Sequence, residues 1–368
     1  MNQQLLYQLA LCLIPGVGGV TAKKLISYCG GVDAVFKEKK AALLKIPGIG
    51  DHLAKAVMNH NGLARAEKEK AFLEKHQLTA LFYLDKNYPA RLKHCEDGPI
   101  MLFVKGNAQL NAEKVVGIVG TRSITDYGRS KCTELVEGLV RHKALVISGL
   151  AYGVDACAHK KALETGLETV AVLGHGLDRI YPQLHQPLAK KIAGQGALVT
   201  EFFTETKPDR ENFPQRNRII AGMCDAIIVV EAASSGGALI TANIANSYNR
   251  DVFAIPGRTT DTYSRGCNWL IKTNKANLLE DIKDLEYIMG WASGKDNNKI
   301  QQPVLFPEFN TEEEIMVNFL RQNPDASIDL MVAKTPFTVS KISALLLGLE
   351  FKGVVQPLPG KTYKLLIF

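Results

Sequence analysis

Arg122, Lys207, Phe213, Arg216, Asn217 and Arg218, with the run Ser234-Ser235-Gly236-Gly237, are the residues whose types and spacing suit an acidic ligand with a flat ring. Guanidinium groups fork onto phosphate oxygens, and a lysine adds a second point charge. A phenylalanine beside them stacks any base for about 1–3 kcal/mol. Pro214 suits a first helical position, which leaves Phe213 at the mouth, with Arg216 and Asn217 three and four residues on and facing the same side. Glycines at a helix start let backbone N–H groups approach an anion, and the helix dipole favours its charge. Further glycine-bearing turns occur at Gly117 to Arg122, at Ser148-Gly149 through Gly153-Val154-Asp155, and at Gly174-His175-Gly176. Together they predict a wall of N–H groups for phosphate. A bland alternative is that these glycines only close tight turns and that Phe213 is ordinary core.

To stand together, these residues need a frame. Continuous apolar runs at Val115–Val119, Ala144–Ser148, Glu168–Leu173, Ala197–Glu201, Asp225–Val230 and Asp251–Ile255 alternate with helical patterns. Such runs predict a Rossmann-like, doubly wound, mostly parallel α/β sheet covered on both faces, with ligands at the carboxyl ends of its strands. Leu81–Leu84 and Ile100–Val104 read as short strands ahead of it. The first 62 residues read as a helical domain with two helix-hairpin-helix units, because Ile14-Pro15-Gly16-Val17-Gly18 recurs as Ile46-Pro47-Gly48-Ile49-Gly50. Lys23 and Lys24 could face a phosphate in the first hairpin, whereas Asp51 would repel one in the second. Residues 63–290 then form the central domain, 291–308 a polar linker, and 309–368 three helices and a hairpin, the pattern of a winged helix. Its third helix carries Lys341 and Lys352 and no arginine, which favours protein contact over entry into a DNA groove.

A chain of 368 residues with 46% hydrophobic and 22% charged residues is globular, and a net charge of +7 favours an acidic partner. Seven scattered cysteines without a CxxC pair argue against disulfides and zinc and fit a reducing cytoplasm. No apolar run reaches the length of a membrane span, and the start lacks a signal-peptide pattern, so no membrane association is expected. Neither GxGxxG nor GxxxxGK[ST] occurs, and Arg179 stands where the third glycine after Gly174 and Gly176 belongs. Nicotinamide cofactors and P-loop hydrolysis are thereby unsupported. Asp155 and His159 share a helix face at i and i+4 but lack a third metal ligand, so they read as a hydrogen-bonded structural pair. Asp178, Glu201 and Glu231 are further acids at strand ends.

The long ordered motifs Gly120-Thr121-Arg122, Ser148-Gly149 to His159, Phe213 to Gly222, Ser235 to Ala242 and Ile255-Pro256-Gly257 resemble the DNA-processing protein A family, DprA or Smf. That resemblance implies a helical, sterile-alpha-motif-like or hairpin-bearing front domain, a Rossmann-like centre and a winged-helix end. It implies a non-catalytic, cofactor-free protein that binds single-stranded DNA, protects it, dimerises and loads the RecA recombinase during natural transformation. DNA-contacting positions would fall on Arg122, Lys207 and Phe213 and on the backbone at Gly236 and Gly237, and the surface for dimer and recombinase near Asn268, Trp269 and Leu270. Ser148, Gly149, Gly153, Arg216, Asn217, Arg218 and Ser235 complete the expected nucleic-acid site. An enzyme of the nucleotide phosphoribohydrolase kind, the rival reading, would need an acid after the glycine turn. No Asp or Glu occurs between Glu231 and Asp251. A third reading, a sequence-specific regulator, would rest on the terminal winged helix.

Overall fold

The computed structural model describes residues 3–60, 62–291, 309–324, 326–358 and 362–366. It divides into two compact units, Met1–Ala292 and Ser293–Phe368. In the first, strands β1 (Thr79–Phe82), β2 (Met101–Gly106), β3 (Val115–Val119), β4 (Leu145–Ser148), β5 (Thr169–Val172), β6 (Ala197–Thr200), β7 (Ala226–Val229), β8 (Asp251–Ala254) and β9 (Asn277–Leu278) form one sheet. Their order is β1-β2-β6-β5-β4-β3-β7-β8-β9. Strands β3 to β7 are buried along their whole length, as a sheet covered on both faces requires.

From β3 the chain winds one way through β4 and β5 to β6, then crosses back to add β7 and β8 on the other side. The switch therefore lies between β3 and β7, which pair in parallel from Val116↔Ala226 to Val119↔Val229. Loops leaving these two strands diverge there, which opens a crevice at their carboxyl ends. Helix Asn212–Met223 packs beneath that crevice and helix Gly237–Ser247 starts at its rim.

The two early strands are part of this sheet. β1 and β2 pair with each other and β2 with β6, all antiparallel, so the otherwise parallel sheet is mixed at this edge. β1 also ends two residues earlier than Leu84, because the Asp85 carboxylate accepts from Phe82 N–H at 2.7 Å and turns the chain out of the ladder. At the other edge, the two-residue β9 carries no apolar run that a sequence pattern could register.

Helices Gln3–Cys12, Gly19–Cys29, Asp51–Met58 and Gly62–Lys75 share a core, including Leu9, Leu25 and Leu73, with Phe82, Met101 and Phe103 of β1 and β2. The repeated glycines do the same job twice. Gly16 and Gly48 take φ of +79° and +87°, and Gly18 and Gly50 are extended caps of the helices that follow. Lys23 is engaged with the carbonyls of Cys95 and Glu96. Asp51 lies between Lys40 at 2.5 Å and Lys55 at 2.8 Å, which hold its carboxyl down at about 2.

Trp291 packs at the end of this unit, 5.3 Å from the Lys114 ammonium. The rest of the expected linker, residues 292–308, and the turn at Pro359-Gly360 lie outside the described residues. The second unit has helices Thr311–Gln322, Ile328–Lys334 and Val339–Phe351 around Met316, Met331, Ile342 and Leu346, with a sheet of Ala326–Ser327, Thr362–Leu365 and Val355–Leu358. Both lysines of its third-helix region are paired: Lys341 with Glu312 and Lys352 with Glu313. Among the described residues no single helix is long and apolar enough to cross a membrane.

Candidate nucleic-acid interface

A cleft of about 360 Å³ opens at the switch point, lined on one side by Gly120, Thr121 and Arg122 after β3, and on the other by Ser235, Gly236 and Gly237 after β7. Helix Asn212–Met223 supplies its floor through Phe213, Arg216 and Asn217. The predicted spacing thus brings these three onto one face. Arg122 is exposed, and its guanidinium lies 5.7 Å from the Phe213 ring centre; that of Arg216 lies 6.0 Å away. Phe213 therefore carries two cations at cation–π distance and covers Gly174, where an added Cβ would meet the ring at 3.2 Å.

Arg216 is buried and acts as a girder. It donates to the Gly149 carbonyl at 2.6 Å and to the Val172 carbonyl, and through Nε to Asn217 Oδ1 at 3.1 Å. Burial brings its ordinarily unshakeable proton affinity down to about 10, opposed by the carboxylate of Asp155. Asn217 in turn reaches Gly237 O at 3.4 Å. One helix so ties the β4 and β5 ends to the glycine turn after β7.

The glycine-rich turns are not equivalent. After β4, the Asp155 carboxylate accepts from the N–H groups of Gly149 at 3.1 Å and Ala151 at 3.2 Å, so these donors are already occupied. Gly149 is glycine because the Arg216 guanidinium lies within 2.6 Å of where a Cβ would stand. Ser148 is fully buried and donates to the Ile118 carbonyl at 2.6 Å. Gly153, at φ +75°, lets the Thr121 and Arg122 backbone approach to 2.2 Å of a would-be Cβ, which sets the Arg122 loop in place. The predicted N–H wall is absent at Gly149 for this reason: a carboxylate of the chain fills it. The turn at Gly174-Gly176 is closed likewise, by Phe213 over Gly174 and by Phe203 O at 2.4 Å from a Gly176 Cβ.

The turn after β7 remains open. Ser235, Gly236 and Gly237 are exposed, no side chain caps the helix they start, and a Cβ on Gly236 would meet nothing within 4 Å. Its first-turn N–H groups have no intrahelical acceptor, and the turn lines the same cleft as Arg122. A phosphate can sit there between a helix dipole and a guanidinium.

The remaining expected residues fall elsewhere. Arg218 is not brought to the cleft: it pairs with Glu201 and donates to the Asp97 carbonyl, because one residue beyond Asn217 the helix faces the other way. Lys207 is exposed in the loop before the helix, with its carbonyl accepting from Asn212 at 3.0 Å and no ion pair among the described residues. Asp155 and His159 do not bond to each other; His159 is fully buried against Thr169 Oγ1 at 2.7 Å. Glu231 accepts from Thr125 N–H at 2.9 Å and its hydroxyl at 2.5 Å, and Asp178 pairs with Arg179 at 2.7 Å. Among the described residues no three His, Cys, Asp or Glu side chains are grouped to hold a metal. Leu270 is fully buried core, Asn268 is bonded to the Gly257 backbone, and only Trp269 of that trio is exposed, beside Lys275. Tyr181, 6.0 Å from Phe213 and half exposed, was invisible to pattern reading because it sits in an irregular loop.

Sheet order, the open glycine turn and the arginines beside Phe213 define a Rossmann-like protein with a cleft at its switch point. Comparison with known proteins sharpens that class. Residues 79–289 match the family model of DNA recombination-mediator protein A, and residues 311–361 that of the DprA winged helix domain. The chain is 32% identical to Protein Smf of Synechocystis over 99% of both chains. It is 41% identical over 189 residues to the DNA processing protein DprA of Streptococcus pneumoniae, covering 51% of this chain and 67% of that one. The X-ray structure of the S. pneumoniae protein superposes with a TM-score of 0.64 at 32% identity, over 77% of this chain and 97% of that one. A structure of the Helicobacter pylori protein, described for its single-stranded DNA binding mode, gives 0.53 at 27% identity over 58% and 96%. The chain belongs to the DprA family of recombination mediators.

Proposed function

We propose that this chain binds single-stranded DNA without regard to sequence and without catalysis, and that it does so in the crevice between β3 and β7. The observation that carries the reading is the open helix start at Gly236-Gly237 facing Arg122 across the Phe213 ring. A phosphate is held by the guanidinium and the helix N–H groups while a base stacks at the aromatic rim. Lys207, exposed in the preceding loop, adds a backbone contact. The binding mode named for the H. pylori relative supports this ligand class. The strand-end acids Asp178, Glu201 and Glu231 are each held by a cation or a backbone donor, which leaves them poorly placed to polarise a glycosidic bond.

Family membership supports the further reading that the protein acts in the cytoplasm as a homodimer, protects incoming strands and loads RecA onto them in natural transformation. Trp269 is the exposed candidate for a protein contact. Titration of labelled oligothymidylate against duplex of equal length, at two salt concentrations, tests the ligand class. Single strands should bind more tightly, and Arg122→Ala and Lys207→Ala should each flatten the salt dependence by about 0.7 in log–log slope. Unchanged binding by both variants would overturn the assignment.

A further inference from the structure

A second cleft lies toward the other edge of the sheet, on the β2 and β6 side of β5, and its lysines and aromatic residues have no part in the site described above. It is lined by Phe72 of helix Gly62–Lys75 and His76 just past its end, by Lys105 at the end of β2, by Leu177 and Arg179 after β5, and by Lys190 of helix Gln186–Gln195; its volume is about 800 Å³. The Phe72 and His76 rings lie with centres 4.3 Å apart and planes tilted by 40°, an aromatic pair one helical turn apart in the chain. Lys105 and Lys190 are exposed and have no ion pair among the described residues. The acid at the rim, Asp178, is already matched by Arg179 at 2.7 Å. Apolar walls, an aromatic pair and two uncommitted ammonium groups are the materials of a base-and-phosphate subsite.

What joins the two clefts is the loop after β5. Arg179 lines the second cleft, and two residues later Tyr181 reaches 6.0 Å from Phe213 in the first, with its own ring half exposed. We infer that single-stranded DNA leaving the β3/β7 crevice crosses Tyr181 and seats a further base and phosphate between Phe72, Lys105 and Lys190. This inference rests on the proposed function, since it extends the same strand. It commits helix Gly62–Lys75, which precedes the sheet, to the nucleic-acid track.

The test is a length series of oligothymidylates against wild type, Lys105→Ala/Lys190→Ala and Arg122→Ala, each checked for folding by circular dichroism. Affinity of wild type should rise at the length that reaches the second cleft. For the double lysine variant that rise should vanish, with the salt slope for long strands shallower by about 1.4, while the shortest strands bind as before. If the double variant binds every length like wild type while Arg122→Ala weakens all of them, the second cleft is no part of the track. If Arg122→Ala binds every length like wild type, the proposed function fails and takes this inference with it. Excess thymidine monophosphate separates a strand from a free nucleotide as occupant. Competition that removes only the gain with length supports the strand; saturable nucleotide binding to the lysine-dependent cleft that leaves long strands undisturbed overturns it.

Discussion

Two strand-to-helix turns border the crevice, and both are rich in glycine: residues 149–155 after β4 and 234–238 after β7. In the first, a buried carboxylate four to six residues on takes the free N–H groups, and Arg216 balances its charge. In the second, no side chain caps the helix, and its donors stay open to whatever enters. Glycine content therefore does not identify an anion site; what matters is whether the chain supplies its own anion. The first turn holds its own anion and is rigid for it; the second holds none from the chain.

Removing Arg216 should break this division most severely. Arg216→Ala leaves two strand carbonyls without their donor and removes the charge that favours ionised Asp155, and each buried polar group left unsatisfied costs about 1–3 kcal/mol. Chemical denaturation should show the loss without DNA present. A variant that keeps wild-type stability but loses only DNA affinity would mean that Arg216 serves the ligand directly and not the frame.

The converse change makes the open turn resemble the filled one. Gly237→Asp places a carboxylate in the first helical turn, where a Cβ meets only Asn217 Nδ2, at 3.8 Å. Stability should rise by about 0.3–1 kcal/mol from the dipole, while binding should fall by several kcal/mol through like-charge contact with phosphate. Retained affinity in a fluorescence titration would place the phosphate elsewhere. Phe213→Ala, between the walls, should cost about 1–3 kcal/mol of binding for every base alike; unequal losses among homopolymers would show base readout instead.

Most of this frame was legible in the sequence, since β3 to β8 are apolar runs closed by turns and each appears within one residue of the expected bounds. The floor of the cleft was legible too, because Phe213, Arg216 and Asn217 follow helical spacing from Pro214. Three things were not. Arg218 breaks that spacing by one residue and pairs with Glu201, a partner no local pattern reveals. Ser148 and Gly149 looked like donors, and only tertiary structure shows that Ile118 O and Asp155 have claimed them. Edge strand β9 and the loop carrying Tyr181 are short or irregular, so they leave no periodic trace.

Proton linkage offers the gentlest probe of the filled turn, because His159 stands one helical turn behind Asp155. Thr169 gives its hydroxyl proton to the Val146 carbonyl, so His159 Nδ1 must be the donor to Thr169 Oγ1. Its Nε2 is then an unprotonated, unpartnered nitrogen in the core. Burial foremost, with the charge of Arg216 behind it, lowers this imidazole to about 3, whereas in the unfolded chain it titrates near its usual value of about 6.5. Below that value the unfolded state takes up a proton that the folded state refuses. Stability contributed by neutral His159 is therefore full above about pH 6.5 and drains as pH falls toward 3, at no more than about 1.4 kcal/mol per pH unit. Between pH 6 and 5 the unfolding free energy should drop by about 1 kcal/mol on this account, and His159→Leu should flatten the slope by one proton. Because the open turn holds no such group, DNA affinity per folded molecule should not follow that one-proton slope; if affinity tracks the same titration, the two turns are coupled through Arg216 more tightly than their separate bonding implies.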